Sequence, residues 1–464
     1  MRTAIIDIGY NAIRAVVYNN NSIGAHEIFH IKFKNNILKL LSLENLNVKH
    51  STYVIVDYLS HIFDKLSVHY VQCVATEVLR NHSRSNEFQK LMRDRFGIEL
   101  QILSGKQESY LSSIGLMYGT LNANGIMIDL GGGSLEIAVI AKNKVYDAIS
   151  LRLGTKIANK SKKTLEEITQ EIKSHTTLSN KQNQNLYLIG GALRIIAKAY
   201  LDYKNIKVKF FHNFELNTKE LLAYLEESIQ TSNPILDKAA ILTLTALINA
   251  FNPQKIIISY YGLKEGAYFK SLPQEARNKN IIYDKLRQLI NIDDLSDYQF
   301  DKYHELAKDV LIDPNEELLE IMNFAILLTI YSYNFDFNAQ AIDPGDLIFA
   351  LNIPFSYKER IMLSTIMEHL NTKLTNKVKN NKICVDQVSH CNSIIISNIL
   401  SIVIMIDGPS FKTPSFSFKQ SNSYIEIVPE IVIPQSIFFI ICKYIKNIAR
   451  SRKRAANYKS ISNV

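Results

Sequence analysis

Residues 125–140 read Gly125-Ile-Met-Ile-Asp129-Leu-Gly131-Gly132-Gly133-Ser134-Leu-Glu136-Ile-Ala-Val-Ile140. An apolar run ends in an aspartate and three consecutive glycines, and a second apolar run follows within the length of a tight turn. Short apolar runs bounded by glycine read as buried strands, so the stretch predicts a strand, a turn and a returning strand. Glycine clusters of this kind serve either as plain hairpin turns or as anion cradles. Without Cβ atoms, successive backbone N–H groups can converge on one phosphate. In the second case Asp129 stands at the strand end as a ligand for the divalent cation of that phosphate, and Ser134 supplies a hydroxyl donor.

The pattern occurs twice. Ala4 to Tyr18, AIIDIGYNAIRAVVY, superposes on Ile126 to Ile140 without a gap: Asp7 falls on Asp129, Gly9 on Gly131, Asn11 on Gly133 and Arg14 on Glu136. A duplicated strand-turn-strand unit predicts two similar lobes facing each other, with phosphates gripped from both sides.

Seven ordered segments carry a family resemblance. They are Asp7-Ile-Gly9-Tyr10-Asn11, Val74-Ala-Thr-Glu77-Val-Leu-Arg80, Ile102-Leu-Ser-Gly105-Lys-Gln-Glu108-Ser109, Asp129 to Glu136, Ser150-Leu-Arg-Leu-Gly154, Leu188-Ile-Gly190-Gly191-Ala-Leu-Arg194 and Ser259-Tyr-Tyr-Gly262-Leu-Lys264-Glu265-Gly266. In order and spacing, from residue 1 to about 290, the chain resembles the exopolyphosphatase and guanosine pentaphosphate phosphohydrolase (Ppx/GppA) family of the actin, Hsp70 and sugar-kinase superfamily.

The resemblance implies an α/β fold with two actin-like (ribonuclease H-like) lobes around a phosphate cleft. A degenerate HD-like helical domain and a small α+β C-terminal module would follow. The domains so expected are residues 1–124, 125–292, 293–378 and 379–464. In the third, the stretch corresponding to the family's metal-binding His-Asp pair reads Leu327-Leu-Thr-Ile-Tyr-Ser332, with neither residue. A structural or substrate-channel role is expected there rather than a second metal centre.

The resemblance also implies roles. Glu108 would orient and deprotonate the attacking water, with Glu136 lining the cleft as metal or water ligand. Asp7 and Asp129 would hold Mg²⁺ or another divalent cation. Gly9, Asn11, Arg80, Gly131, Gly132, Gly133, Ser134, Gly190 and Gly191 would bind phosphate. The Gly190-Gly191 pair also reads as a plain strand-to-helix turn. The implied reaction is release of terminal phosphate from inorganic polyphosphate, or from guanosine pentaphosphate in the stringent response. Tyr10 and Ala12 stand where the family usually has serines, which removes two hydroxyl donors and predicts weakened activity. Two other readings stay open, a silent (p)ppGpp-binding regulator and a phosphotransferase of the same superfamily.

Composition sets wider bounds. The 464 residues exceed one ordinary core. The excess of 53 basic over 44 acidic residues gives a net charge of +9, suited to an anionic ligand. Cys73, Cys384, Cys391 and Cys442 show no CxxC spacing, so reduced core thiols are expected. The chain opens directly on a strand pattern, and its longest apolar stretch, Ile394 to Ile406, is 13 residues and too short to span a bilayer. A cytoplasmic protein, without membrane or nucleic-acid partner and able to form a homodimer, is the expectation. The basic end, from Lys443 to Lys459, reads either as a polyanion contact or as a solvated terminus.

Overall fold

A computed structural model of the chain describes residues 1–34, 37–46, 49–174, 184–206, 208, 210–231, 233–333, 344–371, 386–420 and 424–462. It divides into two compact units, Met1–Ile281 and Ile282–Val464.

The first unit holds two mixed sheets. In one, β1 (Arg2–Ile8) and β2 (Ala12–Tyr18) pair antiparallel, with Asp7 opposite Arg14. β3 (Glu27–Lys34) lies antiparallel beyond β2, while β4 (Val68–Ala75) and β5 (Leu100–Ile102) run parallel on the other side of β1, giving the order β3-β2-β1-β4-β5. The second sheet contains β6 (Gly125–Leu130), β7 (Leu135–Ala141), β8 (Lys144–Leu151), β9 (Asn185–Ile189), β10 (Glu215–Leu216) and β11 (Ile256–Ile258). Its order is β10-β11-β9-β6-β7-β8. Read as β8-β7-β6-β9-β11, it repeats the neighbours and directions of the first sheet, with Asp129 opposite Glu136. The duplication seen in the sequence is therefore a duplication of topology. Ala4, Ile5, Ile6 and Ile8 are all fully buried, as a strand covered on both faces requires.

Local sequence sets the helix ends. His50 caps the helix Ser51–Lys65 by accepting from the Thr52 N–H, and the helix Ser85–Phe96 stops at Gly97, whose φ of 64° is left-handed. Ser104 and Gln107 form a capping box that opens the helix Gly105–Gly119. This helix crosses Leu263–Ser271 at a glycine contact: a Cβ added at Gly266 would lie 1.8 Å from the Leu111 carbonyl oxygen. Although Leu263–Ser271 follows the second sheet in sequence, it is tied to the first. The Tyr268 hydroxyl donates to the carbonyls of Asn20 (2.7 Å) and Ser22 (2.8 Å), and its ring stacks on Tyr18 at 3.7 Å.

The second unit contains the helices Phe300–Lys308, Glu316–Tyr333, Tyr357–Asn371, Gln387–Asp407 and Gln435–Ser462, with the hairpin of β12 (Phe416–Gln420) and β13 (Ile425–Pro429). The apolar stretch 394–406 lies inside the longer helix Gln387–Asp407. At 21 residues that helix is long and apolar enough to cross a membrane by length and composition, but 72% of its apolar window is buried inside the protein. The last helix runs to Ser462, because no glycine or proline follows Pro434 and lysine, arginine and alanine all favour helix. Cys73 and Cys391 are buried free thiols and Cys442 is half-buried. The boundary near 378, Cys384 and the side chain of Lys459 lie outside the described residues.

Candidate active site

Both hairpin turns close with the same bond. The Gly9 N–H donates to the Ala12 carbonyl at 3.0 Å, and the Gly131 N–H donates to the Ser134 carbonyl at 3.0 Å. Asp7 and Asp129 sit one residue before the ends of β1 and β6, so the turns carry both carboxylates into one cleft of about 490 Å³. Gly9, Asn11, Glu108, Gly131, Gly132, Gly133, Ser134, Glu136, Gly190 and Gly191 line the same cleft. The N–H groups of Tyr10, Asn11, Gly132 and Gly133 donate to no backbone acceptor among the described residues. The facing turns are close: a Cβ on Gly133 would lie 2.2 Å from Glu77 Oε2 and 3.0 Å from the Tyr10 ring. Gly190, at φ +107°, turns β9 into the helix Gly191–Tyr203 against the Leu130 carbonyl.

Arg80 is placed differently from the other expected phosphate ligands. It lines an adjoining cavity with Glu77, Ser134, Ser150 and Arg152, and its guanidinium is engaged by the protein. Nε donates to the Leu103 carbonyl (2.8 Å), Nη1 to Ser150 Oγ (3.3 Å) and Nη2 to Glu108 Oε2. Ser150 Oγ in turn donates to Glu136 Oε1 at 2.8 Å. The two buried glutamates are thus joined through Arg80 and Ser150.

Electrostatics keep protons in this network. Burial first, and then the charge of Glu136, hold the Glu108 carboxyl well above the ordinary carboxylate range against the opposing pull of Arg80. Burial and then the Asp129 charge push Glu136 up to about 8, against hydrogen bonds from Ser134 and Ser150 and the charge of Arg80. Burial also lifts Asp129, whose Oδ2 accepts a 2.8 Å bond from Ser112. Close buried carboxyls cannot all ionise together, and proton sharing of this kind suits acid–base work.

Other residues of the cleft were given no site role from sequence. Arg14 pairs with Asp7 at 3.0 Å, across the hairpin where Glu136 stands in the second copy. Glu77 is buried against the second turn and lies 3.7 Å from Arg152. Arg194 donates to the Tyr260 carbonyl (3.4 Å) with its guanidinium 5.4 Å from that ring, and Lys264 pairs with Glu265 at 3.2 Å. The signal for Arg14 was present in the superposed repeats; the others depend on contacts across the chain.

The donor set fits a hard divalent cation. Asp7 Oδ1 is buried with no hydrogen-bond partner, and the neighbouring donors are carboxylate oxygens. Among the described residues no group of three or more His, Cys, Asp or Glu side chains forms a metal cage.

A duplicated α/β sheet whose two turns line one acidic cleft defines a two-sheet α/β protein with a single shared site. More particularly, the chain belongs to the Ppx/GppA phosphatase family, whose model matches residues 16–275. Exopolyphosphatase 1 of Mycobacterium tuberculosis is 34% identical over 82 residues, which is 17% of this chain and 24% of that relative. The matched stretch thus spans about a quarter of the relative's length. Among solved structures, the Ppx/GppA family member of Aquifex aeolicus is 20% identical with a TM-score of 0.46, covering 57% of this chain and 96% of that one. An exopolyphosphatase from Cytophaga hutchinsonii is 14% identical with a TM-score of 0.48, covering 61% and 99%.

Proposed function

We propose that the protein is a phosphoric anhydride hydrolase that releases terminal phosphate from inorganic polyphosphate, with guanosine pentaphosphate as a second substrate of the same cleft. One observation carries this reading: two turns with the same internal bond, each delivering an aspartate, face one cleft that also holds the buried pair Glu108 and Glu136.

In-line attack by water on a phosphoryl group needs a positioned nucleophile and neutralisation of the equatorial oxygens. The N–H groups of Gly132 and Gly133 and the Ser134 hydroxyl would bind the terminal phosphate. Asp7 and Asp129 would hold Mg²⁺, which when bound supplies positive charge against the phosphoryl oxygens. Arg80 is poised between Glu108 and Ser150, so an arriving phosphate competes for its fork and releases Glu108 to face the water. In its ionised form, with the shared proton resting on Glu136, Glu108 then takes the water proton, and Ser150 links Glu136 to Arg80.

A second reading, a regulator that binds (p)ppGpp without turnover, is favoured by Tyr10, whose ring lies on Gly133 where the family places a small hydroxyl residue. Incubation with polyphosphate and Mg²⁺ in H₂¹⁸O distinguishes the two. Hydrolysis places one ¹⁸O in each released orthophosphate; a protein that binds guanosine pentaphosphate and releases no labelled phosphate from either substrate is a regulator.

A further inference from the structure

A second cavity, of about 380 Å³, shares no lining residue with the acidic cleft. Its walls come from both sheets and from the two crossing helices: Tyr70 on β4, Tyr146 on β8, Lys106 and Tyr110 on Gly105–Gly119, and Lys270 on Leu263–Ser271. We propose that this cavity is a binding site for a nucleoside monophosphate.

Three features of the lining identify that class. The rings of Tyr70, Tyr110 and Tyr146 are left 50%, 38% and 61% exposed, which is much uncovered aromatic surface at one place and suits stacking against a flat heterocycle. Below them the floor is apolar and buried, formed by Leu103, Leu111, Ala148 and Ala267. Gln72 and Gln101 offer amide donors and acceptors for the edge of such a ring.

Charge then limits the rest of the ligand. Lys106 and Lys270 face a single acid, Asp147, whose Oδ1 already accepts from the Ala148 N–H at 2.8 Å. A surplus of one positive charge matches a single phosphate better than a long phosphate chain. Lys270 is held beside the Tyr110 ring, its ammonium 5.0 Å from the centroid, so cation and stacking surface form one feature. The volume lies within the range of small-molecule pockets. A ligand here would rest on the helix that carries Glu108 and against Leu103, whose carbonyl holds Arg80.

Equilibrium dialysis of the full-length protein against radiolabelled AMP and GMP tests the assignment. Saturable one-to-one binding of at least one nucleotide is expected, with weaker binding of adenosine or guanosine and of ribose 5-phosphate. Tyr110→Ala and Lys270→Glu should each weaken binding by about tenfold or more, as loss of a stacking surface or a phosphate contact predicts. Lys270→Arg and Glu108→Gln should bind as the wild type does. Lys270 and Tyr110 are exposed, and an unchanged circular-dichroism melt separates a lost contact from a lost fold. Absence of saturable binding by both nucleotides, or binding indifferent to Tyr110→Ala and Lys270→Glu, overturns the proposal.

Discussion

At Glu136 burial and a neighbouring carboxylate act in the same direction, and the consequence reaches stability as well as chemistry. The folded protein keeps this proton up to about pH 8, whereas an unfolded chain releases it near the usual glutamate range, about pH 4.3. Between those values the native state binds more protons, so the contribution is full below the unfolded pKa and is lost as pH rises through about 8. Glu136→Gln should therefore flatten the fall in stability between pH 5.5 and pH 8.5, and gain on the order of 1 kcal/mol or more at the upper end. Urea titrations at the two pH values check this; an identical fall in wild type and variant would contradict it. Arg80 makes the second residue-level prediction. Its fork serves Leu103, Ser150 and Glu108 at once, which a single ammonium cannot do. Losing charge-assisted bonds worth about 1.5–3 kcal/mol should lower kcat for phosphate release by about 10- to 100-fold in Arg80→Lys. A rate within twofold of wild type would show that the network is not used. The acids of the repeat were legible because they close local motifs. Glu77 and Arg194 appeared in two other of the quoted segments, but their place in the cleft depends on folded contacts that spacing does not encode.

The strand-turn-strand element was the most legible part of the chain because its signal is local: two apolar runs, an aspartate and a glycine turn. The repeated 3.0 Å turn bond and the matched strand directions are its physical counterpart. Helix Leu263–Ser271 was not legible in its role. Its partners Asn20 and Ser22 lie more than 240 residues away, beyond any reading of periodicity. The basic end reads from sequence as a polyanion contact or a solvated terminus, whereas helix propensity carries the last helix through it to Ser462. The helix crossing yields the third prediction. Gly266→Ala would drive a methyl to 1.8 Å from the Leu111 carbonyl oxygen, with Gly115 N at 2.9 Å, so the helices must part. Such overpacking costs about 1–3 kcal/mol, and the displaced helix carries Glu108. A lower denaturation midpoint together with lost activity is expected, and a fully stable, fully active variant would refute the crossing.

At the scale of the molecule, the family model takes in the second sheet and β3 to β5 of the first, but not β1 or the turn after it, and leaves the whole second unit outside its match. In the helical domain expected over residues 293–378 the stretch Leu327 to Ser332 offers no His-Asp pair, so the sequence carried no chemistry to read there. The proposed catalytic account therefore rests on the first unit and centres on Glu108, buried between Arg80 and the charge of Glu136. Glutamine at that position keeps shape and hydrogen-bonding capacity but loses the ability to take a proton. The most direct test is Mg²⁺-dependent release of orthophosphate from long-chain polyphosphate by wild type and Glu108→Gln, with polyphosphate binding measured in parallel. A rate lower by about 10²- to 10⁴-fold with binding retained is the predicted result; release at the wild-type rate by the variant would contradict the account.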